Sequence, residues 1–494
     1  MKLGIIPYQK ETDFVYNDNN STAKPNWPVF DKMHTYEIDG EAVQFVRPED
    51  VPLNKRHFVY RTCAPNTLFT ELGYACTEYP FKKAGFNMMD RSNVICLRSN
   101  SNDTVSVGEG EGWRTSRADV CIKEGVCYWE VEVCKGGLDE ALLGGAEDTV
   151  SPDLSDANKK QHKRHKRDLI NMTSHLRFGV SRREASLESP IGTDCYGYGV
   201  RDISFESIHE GKIMQVLAQT KELKAGDRIG FLLKLPPVET QIKQAQEYTA
   251  RKIEKLIKES NGHTNEKNME NESGSTQRKK AKAAPTFNDF EKALLEDIDH
   301  SNVIRDKIPI RYKNQLFFES TDYVKTIKPE YYASNETDEH ASEEYALENS
   351  SLGVYLNGKP LGDAFKDLKP FLPPFSELQY NEKFYFGYWK NGEVVNENDT
   401  RNYDTIENVN KAVNKKKGLI LRNKYVNNNS LGYYPTVSCF NGGTAKIVTH
   451  KEDLKYYDTL KETDVNTLDT LFMEQVAEDI VWDIIDEVEE TASR

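Results

Sequence analysis

The stretch VCYWEVEVC, residues 126–134, alternates: the side chains of Cys127, Trp129, Val131 and Val133 fall on one face of an extended chain, and those of Glu130 and Glu132 on the other. Successive side chains of a strand point to opposite sides, so this period predicts a strand with one face on an apolar core. RIGFLLKL, residues 228–235, repeats the pattern by setting Ile229, Phe231, Leu233 and Leu235 against Arg228 and Lys234, and KFYFGYW, residues 383–389, is similar. Asn357-Gly358 and Asn441-Gly442 stand between such runs and Gly226-Asp227 precedes another; Asn-Gly readily takes the positive φ that tight turns need. Many short strands joined by tight turns predict a mainly β protein, a β-sandwich. No repeat of fixed period runs along the chain, which argues against a propeller or solenoid.

Working outward, the 494 residues are 37% hydrophobic and 29% charged, more polar than a compact domain, so a packed core with long solvated inserts is expected. Low hydrophobicity and charge blocks place the inserts at about 138–172, 237–304 and about 391–417. The second insert opens on a helical-looking stretch, ETQIKQAQEYTARKIEKLIKES. These inserts divide a sandwich into halves at 85–236 and 305–450, with residues 1–84 packing on it and 451–494 forming a linker and a C-terminal helix. The first residues carry too short an apolar run for a secretion signal, and no stretch approaches the ~20 apolar residues of a membrane span, so a soluble intracellular protein without membrane contact is expected. The eight cysteines include no CxxC pair, which favours buried thiols over zinc or a disulfide framework.

The formal net charge is −14, which argues against a wholesale polyanion binder. Residues 451–494 hold 14 acids and 4 bases, so about ten units of the excess belong to the tail. There Leu468, Leu471, Phe472, Val476, Ile480, Val481, Ile484, Ile485 and Val488 recur at helical spacing, Thr467 is placed to cap, and Glu474, Glu478, Asp479, Asp483, Asp486, Glu487 and Glu489 fill the other side. Such a helix either packs on its own domain or enters a partner's groove, and its position behind a polar segment favours the groove.

No catalytic constellation emerges: HExxH, GxSxG and GxxxxGK[ST] are absent, and Pro360 stands where a phosphate loop needs a hydroxyl. A non-enzyme without cofactor or metal is expected. Basic runs are prominent instead, with six Lys or Arg between residues 159 and 167, among them Lys163, Arg164, Lys166 and Arg167, and further clusters at 278–282 and 415–417. They fit sequence-blind contact with DNA phosphates on a nucleosome, an import receptor, or simply solvated loops.

Five segments in order, GWRTSRADVCIKEGVCYWEVEV (112–133), HLRFGVSRREASLESPIGTDCYGYGVRD (175–202), AGDRIGFLLKL (225–235), LGVYLNGKPLGDAFKDL (352–368) and YYPTVSCFNGG (433–443), resemble successive signatures of a SPRY domain. DKIPIRYKNQLFFESTDYVK (306–325) and the acidic amphipathic tail are similar to features of its ASH-two-like branch, the SPRY subunit of the fungal histone H3 lysine-4 methyltransferase complex COMPASS. Residues Ala445-Lys446-Ile447-Val448 depart from the branch's usual Asn-Phe-Gly. The resemblance implies a nuclear, non-catalytic scaffold that binds an acidic segment of a WD-repeat subunit and braces the SET-domain catalytic subunit. It implies a peptide surface of Trp113, Arg117, Arg177, Pro190 and Arg201, with Thr193 standing where relatives carry Tyr. For each arginine the alternative is an internal pair with Glu130, Glu132 or Glu188, and Trp113 is equally suited to the core. The tail helix would dock a small dimeric helical subunit of the dumpy-thirty type through Leu468, Leu471, Phe472, Val476, Ile480 and Ile484, its acids lying at the rim.

Overall fold

The strand Gly125–Lys135, which contains the alternating stretch, lies inside the larger of the two main sheets. In the computed structural model the described residues are 30–54, 59–65, 74–75, 83–137, 173–217, 223–269, 292–300, 308–324, 345–379, 386–395, 420–421 and 429–493, apart from short gaps inside these ranges. The larger sheet runs Phe30–Ile38, Glu41–Pro48, Cys96–Arg98, Thr104–Ser106, Thr444–Val448, Gly125–Lys135, Arg228–Leu235, Ser351–Leu356, Lys359–Lys366. The second runs Lys212–Val216, Glu206–His209, Gly197–Arg201, His175–Ser181, Tyr434–Phe440, Arg114–Ala118, Phe86–Arg91. Both faces expected to be apolar meet between them: Cys127, Trp129, Val131, Val133, Ile229, Phe231 and Leu233 pack against Leu176, Phe178, Val180, Val437 and Cys439. Trp129 stacks on Phe231 with ring centroids 5.5 Å apart. The protein is therefore a mainly β sandwich with a C-terminal helix.

Both Asn-Gly pairs sit at turns with positive φ, Asn357 at 48° and Gly358 at 77°, Asn441 at 47° and Gly442 at 83°. They do different things. Asn357-Gly358 closes a hairpin within the larger sheet, whereas Asn441-Gly442 carries the chain from Tyr434–Phe440 in one sheet to Thr444–Val448 in the other.

The other face of Gly125–Lys135 is covered as well. Glu130 is fully buried, and its carboxylate accepts hydrogen bonds from Arg228 Nη1 at 3.1 Å, the Tyr128 hydroxyl at 3.2 Å and the backbone N–H groups of Lys455 and Tyr456 at 3.2 and 2.8 Å. Arg228 also donates to the Asp453 carbonyl at 2.9 Å. Leu454, Tyr457, Leu460 and Val465 lie over Tyr128 and Leu232, and Val465–Thr467 adds a short parallel strand beside residues 126–128. The segment read as a linker is thus a strap on the sheet, because a buried carboxylate needs donors and the tail amides supply them.

Two smaller pieces flank the sandwich. Helix α1, Val238–Met269, seats its first turns through the buried Ala245 and through Gln241, whose Nε2 donates to the Lys123 and Pro236 carbonyls at 2.8 Å each. A three-stranded sheet joins Ile308–Tyr312, Gln315–Ser320 and the N-terminal strand Val59–Thr62, anchored by Phe317 in the main core.

Candidate functional site

Four of the five residues expected on the peptide surface come together, and one lies elsewhere. Leu176, Phe178 and Val180 face the core, so the strand period turns Arg177 to the outer face of the second sheet. Arg201 is its direct partner in the antiparallel register. The Arg177 guanidinium lies over the Trp113 ring, 5.1 Å from its centroid, and Trp113 rests on Phe440 at 5.3 Å. Residues 182–196 fold over this face, held by Ile191 N–H donating to Ser438 Oγ at 2.9 Å and Thr115 Oγ1 donating to the Ser189 carbonyl at 2.7 Å. The half-buried Pro190 stands beside the site, and the next carbonyl, Ile191 O, accepts from Arg177 Nη1 at 3.2 Å. The loop lies this close because Gly199 has no side chain; a Cβ there would stand 2.6 Å from that same carbonyl oxygen. Thr193 turns its hydroxyl back to the Pro190 carbonyl at 2.9 Å.

Two arginines lie side by side here, with Glu206 and Asp202 as the neighbouring carboxylates. Arg177 is 7% exposed, and its Nε is buried without a hydrogen-bond acceptor among the described residues. Burial, with the Arg201 charge beside it, pushes its pKa down to about 10. Arg201 is more open and donates to Glu206 Oε2 at 2.7 Å. Like charges directly opposite on a sheet repel, and a carboxylate offered to the free edge of such a guanidinium relieves both the repulsion and the unmet donor.

Arg117 does not belong to this surface. It is 3% exposed; its Nε and Nη2 donate to the two Asp90 oxygens at 2.7 and 2.8 Å, and Nη1 donates to the Arg182 and Ala185 carbonyls. Burial alone would raise the Asp90 carboxyl, but Arg117 more than reverses this and holds it below its ordinary value. The carboxylates considered as internal partners are taken by arginines that sequence reasoning left aside: Arg114 pairs with Glu188 at 3.4 Å, and Arg228 with Glu130 and Glu132 at 3.1 and 2.8 Å.

The tail helix α2, Leu468–Ser493, starts where Thr467 Oγ1 accepts from Thr470 N–H at 3.3 Å, the N-cap geometry expected of Thr467. Its six docking residues divide. Leu468 and Phe472 are buried in the domain's own core and Leu471 and Val476 pack partly on it, while Ile480 and Ile484 are exposed together with Met473, Val481, Ile485 and Val488. The reason lies in the spacing. Leu468, Phe472, Val476, Ile480, Ile484 and Val488 recur every fourth residue, and at 3.6 residues per turn each step advances about 40°, so the stripe winds about 200° around the helix. It begins on the domain and ends facing away. The acids are correspondingly not all at a rim: Asp479 and Asp483 are buried on the domain side.

Gln475 pins the seat by donating to the Asp119 carbonyl at 3.3 Å. Burial pushes the Asp119 side-chain carboxyl up to about 7. A carboxyl that holds its proton more tightly when folded stabilises fully below its unfolded pKa of about 4 and loses that contribution as pH rises to the folded value. Asp119→Asn is therefore expected to match the parent melting temperature at pH 4 and exceed it by a few degrees at pH 8, measured by calorimetry. An equal difference at both pH values would count against this assignment. Lys163, Arg164, Lys166 and Arg167, and the basic clusters at 278–282 and 415–417, lie outside the described residues. Among the described residues no helix is long and apolar enough to cross a membrane.

No family model matches the chain. COMPASS component BRE2 of Saccharomyces cerevisiae is 53% identical over 513 aligned residues, covering 100% of this chain and 99% of that protein. COMPASS component cclA of Emericella nidulans is 27% identical over 92% of this chain and 62% of its own length, and Set1 complex component ash2 of Schizosaccharomyces pombe is 23% identical over 96% of this chain and 51% of its own, so this chain spans only about half to two thirds of those two. Among solved structures, a human SPRY domain aligns at TM-score 0.23 and 8% identity over 74% of this chain and 96% of that one, and the SPRY domain of human HERC1 at 0.20 and 15% over 30% and 69%; these scores are too low to bear on the topology, which rests on the strand order itself. With more than half its residues shared along the entire length of one relative, the chain belongs to the family of COMPASS components represented by BRE2 of Saccharomyces cerevisiae.

Proposed function

We propose that the chain is a non-catalytic scaffold subunit of a nuclear histone H3 lysine-4 methyltransferase complex. The surface of Trp113, Arg177, Pro190 and Arg201 takes an acidic segment of a WD-repeat subunit, and the outward side of α2 takes a small dimeric helical subunit of the dumpy-thirty type. Together these contacts hold the SET-domain subunit in its competent state and so raise the population of that state. The observation that carries the reading is the buried Arg177 guanidinium, which has a second arginine opposite, an aromatic ring beneath and a donor, Nε, without an acceptor among the described residues.

The test is a titration of the acidic segment, as a labelled peptide, into the full chain. Arg177→Glu with Arg201→Glu is expected to weaken binding by at least about 2 kcal/mol, roughly thirtyfold, because the variant puts carboxylates where the peptide brings its own. Unchanged affinity in a folded variant rejects this surface.

A further inference from the structure

The second half of α2 carries, behind the side proposed for docking, a set of polar attachments that the docking reading leaves unexplained. Ile480, Val481, Ile484, Ile485 and Val488 are 37–61% exposed, while the opposite side of the same turns is fastened to the domain by polar groups. Arg61 Nη1 lies 3.3 and 3.4 Å from the two Asp479 oxygens, and its Nη2 donates to Ser430 Oγ at 2.8 Å. Lys123 Nζ, beside it, donates to Asn429 Oδ1 at 2.8 Å and to Glu478 Oε2 at 3.4 Å. The Asp479 side chain is 9% exposed and that of Arg61 35%, so the attachment is sheltered on its helix side and partly open at the arginine.

Arg61 comes from the short strand Val59–Thr62, which stays in place by pairing with Gln315–Ser320, Arg61 opposite Phe318. The hairpin of Ile308–Tyr312 and Gln315–Ser320, within the segment 306–325 that marks the ASH-two-like branch, thus carries an N-terminal arginine to the C-terminal helix. An isolated helix end with five large apolar residues turned to water has little reason to stay helical or to keep one azimuth. The half-buried polar contacts on its back supply both.

We propose that Arg61 is a positioning residue for α2: through Asp479 it holds the second half of the helix preformed, with its apolar side turned outward. The inference rests on α2 being the docking helix. A partner then meets a helix whose ordering cost has already been met by the domain, which strengthens binding without any contact between Arg61 and the partner.

The test uses the full chain and two readouts. In the free protein, Arg61→Gln is expected to speed amide hydrogen exchange roughly tenfold across residues 476–490 and nowhere else. With the purified small helical subunit as probe, the same variant is expected to bind roughly fivefold more weakly, and the reversed pair Arg61→Glu with Asp479→Arg to recover both properties. Unchanged exchange at 476–490 overturns the proposal. Faster exchange throughout the sandwich also overturns it, since Arg61 would then be a folding residue. If the parent chain does not bind the probe, the docking reading of α2 fails, and the exchange experiment still decides whether Arg61 orders the helix.

Discussion

Glu130→Ala is expected to lower the unfolding free energy by about 3–5 kcal/mol, the range for removing one partner of a buried ion pair. The carboxylate, itself fully buried, receives four donors at once, two of them tail amides, and all four lose their common acceptor when it is gone. Arg228 keeps its ion pair with Glu132 and the Asp453 carbonyl, so the cost comes mainly from the donors left without their shared acceptor. The residues of the strap lose their attachment together, so limited proteolysis is expected to open a new cleavage site within 451–464. Urea unfolding of the full chain measures the first effect and mass mapping of fragments the second. Glu132→Ala is the control: with its side chain 15% exposed and Glu130 still in place, it is expected to cost about 1 kcal/mol. Equal losses in the two variants would remove Glu130 from its central role.

The second large effect separates the two halves of α2. Ile480→Asp with Ile484→Asp is expected to abolish capture of the helical subunit, a loss of at least about 4 kcal/mol, while leaving the melting temperature within a few degrees of the parent. The two side chains are 43% and 42% exposed and neither belongs to the buried core, so their replacement removes little from the fold. Phe472→Ala should do the reverse, costing about 3–5 kcal/mol of stability, because its ring fills the core beneath the helix start. Calorimetry and a pull-down on each variant suffice. Capture that survives the double aspartate substitution would move the docking face to the other side of the helix.

These contrasts mark what the sequence could and could not disclose. The sandwich was legible because alternation at 126–134 and 228–235 is a local property, and each strand's core face follows from its own neighbours. The buried role of Glu130 was not, since its partners stand 98 and 325 positions away. Arg117 resembled a surface ligand for the same reason: nothing near it signals Asp90, 27 residues upstream on a neighbouring strand. The division of α2 was different, for the four-residue spacing was in plain view. Treating it as one stripe overlooked that a strict period of four precesses around a helix of 3.6 residues per turn. Arg177 was placed by resemblance, and its buried, under-partnered guanidinium is a property of the loop 182–196 above it.

The turn at Asn441-Gly442 bears on how the chain is made. Its flanking strands occupy interior positions in both sheets: Tyr434–Phe440 lies between His175–Ser181 and Arg114–Ala118, and Thr444–Val448 between Gly125–Lys135 and Thr104–Ser106. A ribosome must therefore pass Tyr434 before either layer can be completed, and until then the earlier strands carry open edges and an uncovered apolar face. Closing contacts this distant in sequence is slow. The nascent chain is expected to depend on chaperone protection until residues 434–448 emerge, at which point this unit joins both layers and the strap follows it into place.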